Sequence, residues 1–159
     1  MTHDPADPAA LPTVRLQPMT LAALPAVLVV EQVSHGHPWT HGNFLDSLRT
    51  GTYAQCLMTD GQLVGYFLAL YGVDEAHLLN LTVAPAYRGQ GWARVMLDAL
   101  ALWARAQGAT ALWLEVRLSN ARALHIYEHY GFVRTGLRKN YYLTKHGEPE
   151  DAILMSCRL

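Results

Sequence analysis

The residues Arg88-Gly89-Gln90-Gly91-Trp92-Ala93 have the pattern of a loop that binds a phosphate-bearing ligand. They join an apolar run over 78–83, which predicts a strand, to a long apolar stretch over 92–106, which predicts a helix. Two glycines at this junction allow a tight turn and leave no Cβ in the way of a ligand. The unpaired N–H groups at the start of the helix, together with its positive dipole end, favour an anion such as a pyrophosphate.

The loop lacks the Gly-Lys-Ser/Thr of a Walker A motif and the third glycine of a dinucleotide-binding G-x-G-x-x-G. A Gly-x-Gly after a strand is a weak signal by itself, and a plain tight turn is the commoner explanation. Its Arg-x-x-Gly-x-Ala spacing resembles the acetyl-coenzyme A loop of the GNAT superfamily of N-acetyltransferases. The rest of the chain must decide between these explanations.

Glu115 interrupts an apolar run over 111–117 that predicts a strand. Alternation puts its side chain on the same face as Trp113 and Arg117. A carboxyl group in apolar surroundings is a candidate general base, because desolvation raises its pKa unless a nearby charge opposes this. An ion pair with Arg117 or another arginine at the end of the strand is the structural alternative, which the pattern alone leaves open.

Tyr127 lies in a segment, 119–130, that predicts a helix ending before Gly131. The spacing of Ala123, Ile126 and Tyr130 predicts a buried stripe, with Tyr127 on an adjoining face. A tyrosine in this position is ordinarily a packing residue whose hydroxyl has a partner. The local pattern therefore gives Tyr127 no chemical role.

A resemblance to one family changes both interpretations. The segment ending in Tyr-x-x-x-Gly-Phe is similar to the GNAT helix whose tyrosine faces the coenzyme thiol, and the wider likeness is to the RimI-type ribosomal-protein alanine N-acetyltransferases. It covers about residues 25–156. The stretches that carry it are His37-Pro38-Trp39-Thr40, Leu79-Asn80-Leu81-Thr82-Val83, Leu112-Trp113-Leu114-Glu115-Val116-Arg117-Leu118-Ser119-Asn120, Arg138-Lys139-Asn140-Tyr141-Tyr142 and Glu150-Asp151-Ala152-Ile153-Leu154-Met155.

The resemblance implies transfer of an acetyl group from acetyl-CoA, the co-substrate, to the free α-amine of a protein N-terminus, with no metal. It implies that Glu115 is the general base and that Tyr127 is the general acid, which protonates the leaving thiolate. Trp92 departs from the small or aliphatic residue expected in the loop, although backbone amides do not depend on the side chain. The residues implied for coenzyme binding are Leu81, Thr82, Val83, Arg88, Gly89, Gln90, Gly91, Trp92, Ala93, Arg94 and Asn120.

The chemistry of acetyl transfer agrees with these roles. An α-amine is largely protonated at pH 7, so a base must remove a proton before the nitrogen can attack. The thioester oxygen that becomes negative needs a backbone N–H, which the strand over 81–83 can supply. Tyrosine suits the acid because its ordinary pKa keeps it protonated at neutral pH.

The resemblance also implies an acceptor site between the loop 37–39 and the segment 138–142, where Trp39, Tyr141 and Tyr142 wall a narrow apolar slot. Its expected occupant is a terminal alanine followed by arginine, as in protein eighteen of the small ribosomal subunit. Candidate partners for that arginine are Glu31, Glu128 and Asp151. The alternatives are a GNAT enzyme acting on a lysine or a small-molecule amine, and a non-catalytic module that binds coenzyme A.

The elements that position these residues follow the order β-α-α-β-β-β-α-β-α-β-β, an α/β fold with one mixed sheet flanked by helices. In the GNAT resemblance, acetyl-CoA lies in the cleft between the two central strands. Thr40 predicts a helix cap and Asp60-Gly61 a hairpin turn. Strands are predicted at 13–17, 53–59, 62–71, 76–83, 111–117, 141–143 and 152–157, and helices at 26–32, 40–48, 92–107 and 119–130.

Length and composition narrow the class of protein further. The 159 residues predict one N-acetyltransferase domain over 13–159, after a loose proline-rich tail over 1–12. A net charge of -1 and the lack of a long apolar span argue against nucleic-acid and membrane partners. Two cysteines without a C-x-x-C motif indicate the reducing cytoplasm. The histidines at 35, 37 and 41 have no nearby carboxylate or thiol, so no metal site is expected.

Overall fold

The structure, a computed structural model, describes residues 13–143 and 147–159, so the predicted tail over 1–12 lies outside the described residues. Within them, short 3₁₀ turns occupy Leu21–Ala23 and Pro85–Tyr87. The other elements, in chain order, are β1 (Val14–Pro18), α1 (Leu24–Ser34), α2 (His41–Arg49), β2 (Tyr53–Thr59), β3 (Gln62–Gly72), β4 (Glu75–Val83), α3 (Trp92–Ala106), β5 (Ala111–Arg117), α4 (Ala121–Tyr130), β6 (Val133–Tyr142) and β7 (Glu150–Arg158).

The strands form one mixed sheet in the order β1-β2-β3-β4-β5-β7-β6. Only β4 and β5 run parallel among the described strands, and α3 provides the crossover between them. Their pairing ends at Leu78 and Leu114, although both strands continue. A bulge accompanies the separation: Asn80 pairs with Leu68 and Leu78 with Ala69, which leaves Leu79 as an extra residue on β4. The sheet therefore opens between its two central strands, as the GNAT resemblance implied.

Apolar side chains cover both faces of the sheet. On one face α3 buries Met96, Leu97 and Leu100, and the same core includes Leu124 of α4. A second core lies on the other face, where side chains of α1 and α2 pack against β2 and β3. On β5, residues 112, 114 and 116 are buried and the alternate ones are partly exposed, so Glu115 shares a face with Trp113 and Arg117 as predicted.

Several local predictions are confirmed because short-range signals decide them. β2 and β5 have the predicted bounds, and α3 begins at Trp92. Thr40 caps α2: its Oγ1 accepts a hydrogen bond from the N–H of Asn43, and the Asn43 side chain accepts one from the N–H of Thr40. Asp60 and Gly61 both have positive φ, which a tight hairpin turn requires.

Several boundaries were predicted wrongly. β6 begins at Val133, well before the predicted 141, because this strand is exposed at the edge of the sheet and needs no apolar alternation. α4 begins at Ala121 with Asn120 as its cap, rather than at Ser119. Its buried residues are Leu124 and Tyr127, so the predicted stripe was rotated by about one residue. No helix in the described part of the chain is long and apolar enough to cross a membrane.

Candidate active site

A cleft of about 1150 Å³ opens where β4 and β5 separate, and α1, α3 and α4 contribute to its walls. It brings together residues that lie far apart in the sequence. The predicted site residues that line it are Trp39, Leu81, Thr82, Val83, Arg88, Gly89, Gly91, Trp92, Ala93, Arg94, Glu115, Asn120, Tyr127 and Tyr142. Gln90 and Tyr141 do not line it.

The backbone of β4 presents hydrogen-bond donors to this cleft. The N–H of Ala84 donates to the carbonyl oxygen of Val64 at 2.8 Å, which marks a hydrogen-bonded pair of the β3–β4 ladder. Such pairs alternate with non-bonded ones, so Thr82 also faces β3 and the N–H groups of Leu81 and Val83 face the opposite edge. β5 no longer pairs with β4 at that edge. These two N–H groups are therefore available to an acyl oxygen.

The glycine loop leads directly into α3. Gly89 has φ 74° and Gly91, the residue that caps α3, has φ 87°. A Cβ at either glycine would meet no heavy atom of the described chain within 4 Å, so the space beside both is open. Gly91 offers no side-chain cap, so the first N–H groups of the helix are left for a ligand. This geometry fits the predicted pyrophosphate site.

Two arginines give this end of the cleft a positive charge. The Arg88 side chain donates from Nε to the carbonyl oxygen of Val83 at 3.2 Å. Burial, with the nearby Arg122 guanidinium, lowers the pKa of Arg88 below its usual value. Arg122 also lines the cleft but was absent from the predicted site, because only the tertiary fold brings the start of α4 next to the glycine loop. An anion between these groups would relieve their repulsion.

We expect Gly91→Val to weaken acetyl-CoA binding by about 10- to 100-fold, the loss of one hydrogen bond to a charged group. The valine side chain would enter the open space beside the loop and strain a backbone with positive φ. Isothermal titration calorimetry measures the affinity. Gly51→Val is the matched control, because Gly51 has φ 80°, equally open surroundings and a position outside the cleft. Unchanged affinity in a folded Gly91→Val protein would show that the coenzyme does not bind at this loop.

Glu115 lies on β5 just beyond the last residue paired with β4. Its Oε1 is 3.3 Å from the Nε of Arg138 on β6, an ion pair in which the carboxylate is 23% exposed. The structural alternative, an ion pair with Arg117 or another arginine at the end of the strand, is therefore met by Arg138, whereas Arg117 pairs with Glu150. Tyr141 also hydrogen-bonds to Glu115, and this bond raises the pKa of the Tyr141 hydroxyl. The carboxylate keeps access to the cleft.

Tyr127 is buried on α4 and lines the same cleft. Its ring packs edge-on against Phe132 with 5.6 Å between centroids. Burial, and then the neighbouring Tyr142, raise the pKa of the Tyr127 hydroxyl above its ordinary value. The hydroxyl therefore keeps its proton throughout the neutral range, which a general acid requires.

Asn120, Gln90 and Trp92, which are predicted to bind the coenzyme, have structural partners. Asn120 accepts a hydrogen bond on Oδ1 from the N–H of Ala123, so its side chain caps α4 at the edge of the cleft. The indole N–H of Trp92 donates to Gln90 at 3.2 Å, which holds this unexpected tryptophan beside the loop. Neither contact uses the backbone amides at the start of α3.

The predicted acceptor end is walled by aromatic rings. Trp39 packs 5.2 Å from Phe44 and lines the cleft, as does Tyr142, whose ring lies under the Arg117 guanidinium at 4.2 Å. Burial raises the pKa of Tyr142 to about 12. Tyr141 is 47% exposed and contacts the ring of Tyr142 from outside the cleft. Its role in acceptor binding stays a prediction.

The three acidic residues considered for a basic acceptor residue differ in position. Glu31 lines the cleft but is buried with its oxygens in internal hydrogen bonds. Glu128 pairs with Arg134, and Asp151 accepts from the N–H of Asn140; neither lines the cleft. Glu150 does line it, bonded to Arg117 and to the N–H of Ser119. No metal-binding group of three or more His, Cys, Asp or Glu forms within residues 13–143 and 147–159.

Three features together define an acyltransferase that uses a coenzyme A thioester. They are the open sheet, the glycine loop at the start of a helix, and the carboxylate and tyrosine that line the cleft. Residues 23–132 match the Acetyltransferase (GNAT) family. The chain belongs to the GNAT family, and it is an N-acetyltransferase that depends on acetyl-CoA.

Individual relatives are more specific than the family match. The chain is 38% identical over 133 residues to the [ribosomal protein bS18]-alanine N-acetyltransferase of Escherichia coli strain K12, covering 84% of this chain and 89% of the relative. The crystal structure of the Escherichia coli ribosomal-protein-S18-alanine N-acetyltransferase superposes with a TM-score of 0.82 at 34% identity, over 92% and 94% of the two chains. The crystal structure of Ard1 from Thermoplasma volcanium superposes with a TM-score of 0.83 at 26% identity, over 92% of this chain and 97% of that one. The predicted family resemblance is confirmed.

Proposed function

We propose that this protein acetylates the α-amine of a protein N-terminus, that of the terminal alanine of ribosomal protein bS18. The observation that carries the proposal is the cleft itself, in which the free N–H groups of β4 stand opposite Glu115 and Tyr142. The similarity to bS18-alanine N-acetyltransferases over most of the chain supports the choice of acceptor. The reaction belongs in the cytoplasm, where acetyl-CoA and new ribosomal proteins occur together.

The coenzyme is held, in this proposal, by two sets of backbone donors. Its pyrophosphate lies over the loop 88–94 at the start of α3, with Arg88 and Arg122 beside it. The thioester carbonyl oxygen accepts from the N–H of Leu81 or Val83, which stabilises negative charge as it develops. Asn120 supports the coenzyme from the start of α4.

Glu115 and Tyr127 act on the protons. An α-ammonium has three protons on nitrogen and the product amide has one, so two protons leave. Glu115 takes the proton that becomes acidic as the C–N bond forms, directly or through one water. Tyr127 gives its proton to the departing sulfur and recovers one from solvent or from the nitrogen. Holding both reactants in one cleft contributes much of the remaining acceleration.

The acceptor enters between the 37–39 loop and the end of β6. In this proposal Trp39 and Tyr142, which both line the cleft, form an apolar slot for the methyl group of alanine. The following arginine reaches the outer part of the cleft, where Glu150 is the acidic residue on the rim. The Arg117 side chain that now pairs with Glu150 can stay on the Tyr142 ring.

The experiment that tests this proposal compares two peptides of the same sequence. One has a free alanine terminus; the other has that terminus blocked and carries an internal lysine. Release of coenzyme A thiol measures each rate, and we expect the free-alanine peptide to react at least about 100-fold faster, the effect of placing the wrong amine in a shaped site. Equal or faster acetylation of the lysine peptide would identify a lysine or small-molecule acetyltransferase, whereas binding of acetyl-CoA without turnover of either peptide would identify a non-catalytic module.

A further inference from the structure

A buried polar network lies behind β4, on the wall of the cleft opposite β5. At its centre Glu31 of α1 is 1% exposed. Its Oε1 accepts from the Tyr66 hydroxyl at 2.7 Å and from the Asn80 amide at 3.0 Å, and its Oε2 accepts from the N–H of Trp39 at 3.0 Å. All three partners are donors, which is what an ionised carboxylate requires. The network therefore fixes a negative charge beside the cleft.

His35, one turn further along α1, joins this network. Its Nε2 lies 2.8 Å from the Oγ1 of Thr82 and 3.6 Å from the Oε1 of Glu31. The ring lines the cleft, and 31% of the side chain is exposed. His35 is therefore held in place by Thr82 and Glu31 and is also accessible to a substrate.

The network determines which ring nitrogen of His35 carries the proton. The Asn80 side chain donates to Glu31, so its oxygen must accept, and it accepts the Thr82 hydroxyl at 2.8 Å. The single Thr82 proton is used in that bond, so Thr82 can only accept from His35. Nε2 of His35 is then the protonated nitrogen, and Nδ1 carries the lone pair in the neutral ring.

The acetyl transfer needs a second proton acceptor. Two protons leave the acceptor nitrogen, and the proposed function uses Glu115 only for the one released as the C–N bond forms. The first must leave the ammonium group before attack. By ordinary reference values an imidazole matches the basicity of an α-amine much more closely than a carboxylate does, so imidazole is the better acceptor for this step.

We propose that His35 is a further catalytic residue, which removes the first proton from the α-ammonium group of the acceptor. The N–H bond of the ammonium breaks, Nδ1 of His35 gains the proton, and the nitrogen keeps the electron pair for attack on the thioester. The resulting imidazolium lies 3.6 Å from the buried Glu31 carboxylate, which stabilises the charge. The proton then passes to solvent from the exposed side of the ring. The proposal rests on the amine acceptor proposed above.

The groups that surround His35 lie on several elements. Glu31 is on its own helix, Tyr66 on β3, and the neutral Asn80 and Thr82 on β4. His37 from the following loop and Tyr87 from the 3₁₀ turn line the same cleft. On the opposite wall are Glu115, Arg117, Tyr142 and Glu150. Since all of these remain in a single-site variant, the ratio of variant to wild-type rates isolates the titration that depends on His35.

The test is the pH dependence of His35→Gln, in which an amide can still donate to Thr82 but cannot take a proton. Only the free amine would then react, and at pH 7 about a tenth of an α-amine is unprotonated. We expect kcat/KM for the free-alanine peptide to fall about tenfold at pH 7 and to recover to within about twofold at pH 9.5. The KM for acetyl-CoA should not change.

His77→Gln is the matched control, because His77 pairs with Glu75 on β4 outside the cleft; we expect wild-type rates at each pH. A loss in His35→Gln that is constant across the pH range would make His35 a structural residue and overturn the proposal. A wild-type enzyme that does not acetylate the peptide would instead overturn the proposed acceptor. Independently of activity, imidazole ¹⁵N NMR should show the Nε2–H form of His35 in wild type, and its loss in Thr82→Val; an Nδ1–H form in wild type would contradict the proposal.

Discussion

Glu115→Gln is expected to lower kcat for the free-alanine peptide by about 10²–10⁴-fold, the range for loss of a general base. Glutamine keeps the shape of the side chain and can still accept a hydrogen bond from Tyr141, but it cannot take a proton from nitrogen. The loss should persist at pH 9.5, because alkali removes the first proton from the ammonium and leaves the second to be removed during attack. Steady-state kinetics at saturating acetyl-CoA measure the effect.

Two further variants separate this chemical role from the ion pair. Arg138→Gln removes the partner of Glu115 but keeps the carboxylate, and a pair whose arginine is 54% exposed contributes little to stability. We expect Arg138→Gln to lose less than about tenfold in kcat, since only the position of Glu115 is affected. Glu128→Gln, which breaks the exposed pair with Arg134 outside the cleft, should behave as wild type. Equal losses in Glu115→Gln and Arg138→Gln would show that Glu115 is structural.

The fold could be predicted where the sequence contains local signals. Alternation in β5 and the glycines before α3 decide their boundaries over a few residues, and Thr40 with Asn43 forms a cap from side chains three positions apart. β6 has no such signal. Its side chains are exposed at the edge of the sheet, and its pairing with β7 contains two register shifts, so neither burial nor regular alternation marks it. Only the partner strand explains why this segment is extended.

The residues of the candidate site also fall into two groups, those that belong to sequence motifs and those that only the fold brings together. The glycine loop, Glu115 and Tyr127 belong to continuous motifs, and the family resemblance that these motifs carry singled them out where the local pattern alone did not. Arg122 and His35 are functional candidates only because folding brings distant segments together: the start of α4 next to Arg88, and the end of α1 next to Thr82. Glu31 was predicted only as a candidate partner for the acceptor's arginine, because nothing near it in the sequence indicates that Tyr66 and Asn80 bury it in hydrogen bonds.

Tyr127→Phe tests the acid separately from the bases, and we expect it to lower kcat by about 10²–10⁴-fold. Burial and Tyr142 raise the pKa of the hydroxyl from an ordinary value that already lies near 10, so the group is protonated at every pH used and the loss should not vary with pH. Phenylalanine preserves the packing against Phe132, so acetyl-CoA affinity and thermal stability should remain near wild type. Tyr53→Phe, on a ring stacked against Trp103 outside the cleft, is the control for removing a tyrosine hydroxyl. If Tyr127→Phe keeps a near-normal kcat, water protonates the thiolate and Tyr127 serves only to pack α4 against the sheet.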